Sequence, residues 1–122
     1  MNDKYELTNG TIEIDGHTLH RIKALKDLGH IQKGDLGGFI ESEENLSTSD
    51  KSWVDDYAAV YDHARVDKNS IVRGSVKVYD FARITNNARV SGSGSWCGHT
   101  VILGHRKNTL WSILRTLVSV KN

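Results

Sequence analysis

The sequence predicts a mainly β protein in which short strands wind around a three-sided prism, coil stacked on coil. Three observations predict it. The phrase VYDHARV, starting at Val60, returns 18 residues later as VYDFARI, starting at Val78. Every sixth residue from Val54 onward is large and apolar: Val54, Val60, Val66, Val72, Val78, Ile84, Val90, Trp96 and Ile102, all but Trp96 β-branched. Near the start, Asn9-Gly10 and Asp15-Gly16 sit between short alternating segments, a strong signal for β-hairpins.

A period of six fits neither a helix, with about 3.6 residues per turn, nor a long strand, with a period of about 2. It fits a short strand followed by a corner. The β-branched residue points inward. The fourth residue after it is small: Ala58, Ala64, Ser70, Ala82, Ala88, Gly94 and Thr100, with Val76 the exception. The second residue after it is a turn former: Asp56, Asp62, Gly74, Asp80, Asn86, Gly92, Gly98 and Gly104, with Lys68 departing. Three such units close one 18-residue coil, so Val60 and Val78 occupy one position on successive coils. Gly92-Ser93-Gly94-Ser95 keeps the same phase and is too short to form a phosphate loop.

Around this prism the chain divides into residues 1–47, an N-terminal hairpin and cap module; residues 48–106, the repeat; and residues 107–122, a C-terminal helix. The segments YELT, TIEI and HTLHRI, separated by the two glycine dipeptides, predict a small antiparallel meander. From Lys26 to Ser47 the chain is rich in turns, with Gly29, Gly34, Gly37 and Gly38, and is expected to cover the first coil. An open coil end would expose strand edges and core. Leu110, Ile113, Leu114, Leu117 and Val118 mark one face of an amphipathic helix, with Asn108 as N-cap and Trp111 widening the face.

Composition bounds function. The charge is +1, so nucleic-acid binding by bulk charge is not favoured. Cys97 is the only cysteine, which excludes an internal disulfide and a cysteine-rich zinc site. No apolar run approaches a membrane span, and MNDKYELTNG has no apolar signal core; a reducing cytoplasm is the expected location. No cofactor or metal is called for.

The repeat resembles the hexapeptide-repeat, left-handed parallel β-helix family over about Thr48 to Arg106. That resemblance implies the left hand, about three 18-residue coils, and a closed trimer as the oligomer. The fold it implies is a short left-handed parallel β-helix with an N-terminal antiparallel β cap and a C-terminal amphipathic helix. Gly34 to Ile40, Asn45 to Ser47 and Trp53 resemble the lead-in to the first coil in uncharacterised bacterial and phage β-helix proteins, some of them named as acetyltransferases from their fold. In that group a Gly-Gly turn leads into the coil.

The 18-residue period assigns side chains to columns. Outward from one face stand Tyr61, Tyr79 and Cys97; at the next corner Asp62-His63, Asp80-Phe81 and Gly98-His99; on the following face Arg65, Arg83 and Val101. Stacked like residues can simply hold coils together. They can also form a recognition surface, since Tyr and Arg dominate binding hot spots. The candidate ligand or partner contacts are Tyr61, His63, Arg65, Tyr79, Phe81, Arg83 and His99. Trp53 and Ile71, outward on the third face, are expected to contact the N-terminal module or another subunit, and Leu110, Trp111, Leu114 and Leu117 either to close the last coil or to make subunit contact. The expected function is a non-enzymatic oligomeric binding protein, a phage or prophage product that binds a host protein or sequesters a small nucleotide signal. The family resemblance supplies a rival: a trimeric acyltransferase holding acyl-CoA between prisms, with His63, His99 or His105 as general base. A purely structural oligomer is the third reading. No long loop interrupts the coils to wall a pocket.

Overall fold

The computed structural model describes residues 2–104. It contains strands β1 (Tyr5–Ile14), β2 (His17–Ala24), β3 (Leu36–Ile40), β4 (Trp53–Val54), β5 (Ala59–Val60), β6 (Arg65–Val66), β7 (Ile71–Val72), β8 (Ser75–Val78), β9 (Arg83–Thr85), β10 (Arg89–Val90), β11 (Ser93–Trp96) and β12 (Val101–Leu103), with a 3-10 turn at Glu43–Asn45. From β3 onward the strands stack in parallel as a three-sided solenoid. One face is β3-β5-β8-β11, the second β6-β9-β12 and the third β4-β7-β10. Val60 pairs with Val78 and Val78 with Trp96, Val66 with Ile84 and Ile84 with Ile102, Val54 with Val72 and Val72 with Val90. The hexad residues stack as their spacing predicts, and all but Trp96 belong to one buried core.

The corners explain why the chain turns where it does. Asp56, Asp62, Lys68, Gly74, Asp80, Asn86, Gly92 and Gly98 all have positive φ, from 53° at Lys68 to 92° at Gly92. Asp, Asn and Gly tolerate that region; a lysine does so at a cost. Turn side chains also tie neighbouring coils. Asp56 Oδ2 accepts from Gly74 N (3.1 Å), Asp80 Oδ2 from Gly98 N (2.9 Å) and Ser70 Oγ from Ala88 N (3.1 Å). Val76, the one large residue at a small-residue position, pairs with Gly94 on the next coil, which leaves it room.

The N-terminal part departs from expectation in three respects. Asn9-Gly10 is not a hairpin turn: β1 runs through it, with a register shift against β2 between Leu7 and Thr11. Asp15-Gly16 alone makes the turn, both residues at positive φ (50° and 83°). Since that turn already pairs both halves of β1 with β2, the first glycine dipeptide is absorbed as a bulge. Gly37-Gly38 is likewise no turn but the middle of β3. A Cβ at Gly37 would lie 2.6 Å from Val54 O and 2.8 Å from Trp53 Cζ2, and one at Gly38 2.5 Å from Ala58 O. The two glycines let β3 lie flat against the coil.

Third, the solenoid begins before Thr48. Ile40 pairs with Val60 and Leu46 with Val66, an offset of 20 residues in place of 18. This adds a partial coil, giving four rungs on two faces and three on the third. The extra two residues sit between Leu46 and Val54, where Asp50 Oδ2 accepts from Lys68 N (2.8 Å). The cap itself is the loop after β2, whose buried Leu28 and Ile31 close the top of the core.

Trp53 points out of the prism and is fully buried, Ile71 below it is buried too, and of the two contacts expected of Trp53 the one with the N-terminal module is made. The N-terminal module covers Trp53: Tyr5 meets its ring edge-on, 6.5 Å between centroids. Tyr5 OH donates to Leu46 O (2.6 Å), and Lys4 Nζ to Ser47 O (2.7 Å) and Ser52 Oγ (3.2 Å). Within the chain, these two residues serve the joint between module and coil. His105, Leu110, Trp111, Leu114, Leu117 and the expected C-terminal helix lie outside the described residues. Among the described residues no helix is long and apolar enough to cross a membrane.

Two predictions follow from the corner and the joint. Lys68→Gly relieves the one unfavourable corner and should stabilise the fold by about 0.5–1 kcal/mol, read as a rise in Tm of about 2–4 °C. Burial holds the Lys4 ammonium down to about 8, although Asp50 acts in the opposite direction. Between that value and the ordinary lysine range the unfolded chain keeps a proton that the folded chain has lost, so stability rises with pH. Denaturant unfolding should show a gain of about 1–2 kcal/mol between pH 8 and 9.5, absent in Lys4→Met. Above pH 10 the trend is expected to reverse, because burial keeps Tyr5 and Tyr61 protonated only in the folded chain.

Candidate recognition surface

The corner between the first and second faces carries a continuous aromatic column. His63 stacks on Phe81 with centroids 4.9 Å apart and planes 9° from parallel; Phe81 stacks on His99 at 5.0 Å and 8°. The spacing is that of adjacent strands, about 4.8 Å, because each ring occupies the same corner on its own coil. Phe81 is 55% exposed, and both histidines are exposed. The corner is supported from above by buried Asn45, whose Nδ2 donates to Asp62 O (3.2 Å) and Ala64 O (2.8 Å).

On the first face a second column runs beside it. Tyr61 and Tyr79 stack at 5.3 Å and 12°. The Cys97 thiol beside Tyr79 is the main cause that raises the pKa of its phenol. Tyr61 is not at the surface. The β1–β2 hairpin folds over it, packing Leu19 with Phe39, Ala59 and Tyr61, and Ile12 and Ile14 at the margin. Tyr61 OH donates to Asp15 at the hairpin tip (3.1 Å). Burial first, and that bond second, raise its pKa.

The hairpin tip adds two groups that the sequence pattern did not single out. His17 lies against Tyr61, 5.2 Å between centroids, and its Nδ1 is 2.9 Å from Glu41 Oε2. Glu41 Oε1 accepts from Asp62 N (2.8 Å). The Glu41 hydrogen bond raises the pKa of His17. Burial works against the Glu41 carboxylate, but the bonds from His17 and the Asp62 amide outweigh it and hold its pKa below the usual range. His17 is distant in sequence from the repeat and carries no spacing signal.

On the second face Arg65 and Arg83 share one buried carboxylate. Arg65 Nε donates to Asp67 Oδ2 at 3.1 Å and Arg83 Nη2 to the same oxygen at 2.8 Å. Arg65 Nη1 also donates to Glu44 O (3.1 Å). The Asp67 side chain is 7% exposed, the guanidiniums nearly half. Burial disfavours the Asp67 anion, but the Thr85 hydroxyl nearby and the two guanidiniums prevail and lower its pKa. Among the described residues its Oδ1 has no hydrogen-bond partner. Asp67 directly follows β6 and stands two residues after Arg65, a spacing that places both on one side of extended chain.

Of the expected site residues, the structure brings His63, Phe81, His99, Arg65 and Arg83 to one convex corner, with Tyr79 on the adjoining face. Tyr61 is placed beneath the hairpin. Two clefts of the described residues lie away from this corner. One of about 530 Å³ is lined by Lys4, Lys26, Asp50 and Lys51 among others, and one of about 600 Å³ by Thr8, Arg21, Lys23 and Leu36 among others. His63 and His99 are separated by the Phe81 ring. Among the described residues no group of three or more His, Cys, Asp or Glu side chains is arranged to hold a metal ion. Comparison with protein-family models and with curated proteins found no match for the chain.

The hairpin clamp has a defined pH dependence. The His17–Glu41 pair is fully formed below about pH 6.5, the ordinary histidine value, and is lost as pH rises through the raised value of His17. At the acid end it is lost as pH falls through the depressed value of Glu41. A nuclear magnetic resonance titration should show His17 titrating above that ordinary value in the parent chain and close to it in Glu41→Gln. An unchanged His17 titration in the variant would remove Glu41 as the cause.

Proposed function

We propose that the protein is a non-enzymatic, oligomeric binding protein, built on the left-handed, hexapeptide-repeat form of this solenoid. The observation that supports it is the exposed His63–Phe81–His99 column beside two guanidiniums pinned in place. A rigid row of rings and forks on a convex edge suits recognition, since little side-chain freedom is lost on contact. A catalytic base needs a positioned partner and a walled substrate, and neither cleft described above includes His63 or His99. Following the resemblance of its lead-in region, we place it as a phage or prophage protein that engages a host protein or sequesters a small nucleotide signal, with a trimer as the assembly.

The test is a thermal-shift panel of acyl-CoAs, mono- and dinucleotides and cyclic nucleotides, on the parent chain and on the triple variant His63→Ala, Phe81→Ser, His99→Ala. These rings are exposed, so the variant should keep the parent Tm within a few degrees. A ligand at about 100 times its dissociation constant adds about 2.7 kcal/mol, a clear shift in the parent that the variant should lack. An acyl-CoA shift accompanied by acyl transfer that is lost with the histidines would overturn the non-enzymatic reading.

A further inference from the structure

Two arginines on adjacent coils normally repel. Here Arg65 and Arg83 pair across β6 and β9 and are drawn onto the same Asp67 oxygen. One buried negative charge is shared by two positive ones, so the cluster keeps an unbalanced positive charge at the surface. Arg83 gives one N–H to Asp67, and among the described residues the rest of its fork has no protein partner. Arg65 spends two donors, on Asp67 and Glu44 O, and is 44% exposed. Arg83 therefore keeps Nε and Nη1 for another acceptor, and Arg65 keeps Nη2.

We propose that Arg65 and Arg83 form a binding site for a phosphomonoester, with Asp67 as the positioning residue that holds the two forks in line. This deepens the recognition reading and rests on its assignment of the corner as the binding surface. The chemistry favours phosphate over carboxylate. One fork satisfies a carboxylate bidentately, whereas a dianionic phosphate offers three acceptor oxygens and can use two forks together. Chloride lacks the geometry altogether. The aromatic column begins two residues before each arginine, at His63 and Phe81, so a planar group carried on the phosphate meets ring edges on leaving the forks. The acidic neighbours are Asp62, whose Oδ1 lies 3.8 Å from His63 Nε2, and the exposed Glu44. They set a limit on affinity and disfavour a long polyanion.

The experiment is a titration of the full chain at constant ionic strength with inorganic phosphate, phenyl phosphate, adenosine monophosphate and acetate, followed by the arginine Nε–H resonances and by Tm. Phosphate should move the Arg65 and Arg83 signals, and acetate should bind at least tenfold more weakly. Phenyl phosphate and adenosine monophosphate should bind more tightly than phosphate alone; the better of the two names the kind of planar group. Arg83→Gln should weaken phosphate at least tenfold, the scale of one lost charge-assisted bond. Arg83→Lys should fall between, having charge without the fork. Should Arg83→Gln lower Tm, the triple variant Arg65→Gln, Asp67→Asn, Arg83→Gln removes the cluster without leaving a buried charge alone, and it should not bind phosphate. Equal binding of phosphate and acetate, or phosphate binding unchanged in folded Arg83→Gln, would overturn the site. If phosphate does not bind, yet the column variant loses a ligand that the parent holds, the anion site falls and the recognition surface stands.

Discussion

Everything in this molecule depends on one residue in six taking a backbone conformation that most L-residues avoid. A face of two to four residues cannot bend back on itself without a sharp corner, and the left-handed region supplies it at Asp56, Asp62, Lys68, Gly74, Asp80, Asn86, Gly92 and Gly98. Their even spacing fixes the coil at 18 residues, and so fixes which strand pairs with which. The turn carboxylates then reinforce the register they create. Asp56 and Asp80 each bind the amide 18 residues on, so a slipped coil would lose its corner bonds together with its strand bonds. Register is weakly held in strands of two residues, and here the corners supply what the strands lack.

The same period that builds the core writes the surface. Inward positions give the valine and isoleucine stack; outward positions give columns of tyrosine, aromatic corner residues and arginine. What separates supporting columns from exposed ones is height along the prism. Tyr61 and Tyr79 occupy one column and stack on one another, yet only Tyr61 is sealed, because the β1–β2 hairpin reaches that rung and only grazes the next. Trp53 tells the same story on the third face, where β3 presses its two glycines against the coil and Tyr5 closes over the ring. The N-terminal module thus decides which part of a repetitive surface remains available.

The sequence was informative wherever the hexad phase held. Val54 to Ile102 could be placed inward, and the corner column His63–Phe81–His99 could be assembled from spacing alone. It was silent where the phase breaks. Ile40 and Leu46 are six residues apart and belong to the solenoid, but the eight-residue step from Leu46 to Val54 hides them. Gly37-Gly38 and Asn9-Gly10 misled for a shared reason. Glycine pairs mark turns only when chain reversal is what glycine supplies, and here one pair supplies close approach and the other a bulge. His17 and Glu41 act through contacts between side chains far apart in sequence, which no periodicity records, and Asp67 becomes visible only once its two-residue spacing from Arg65 is read together with the 18-residue step to Arg83.

The imidazoles show how placement separates recognition from chemistry on such a scaffold. His17 has what a general base requires, an oriented ring with a carboxylate on Nδ1, but that pair fastens the hairpin tip to the coil and its face is spent against Tyr61. His63 and His99 have the reverse: open positions, held mainly by stacking on Phe81. Orientation and access are thus divided between different histidines of the described region. The corner where access is greatest presents flat rings and fixed guanidiniums, the groups on which the proposed recognition would rest. Among the described residues no long loop interrupts the coils from β4 to β12, so each added coil extends that surface along the solenoid axis.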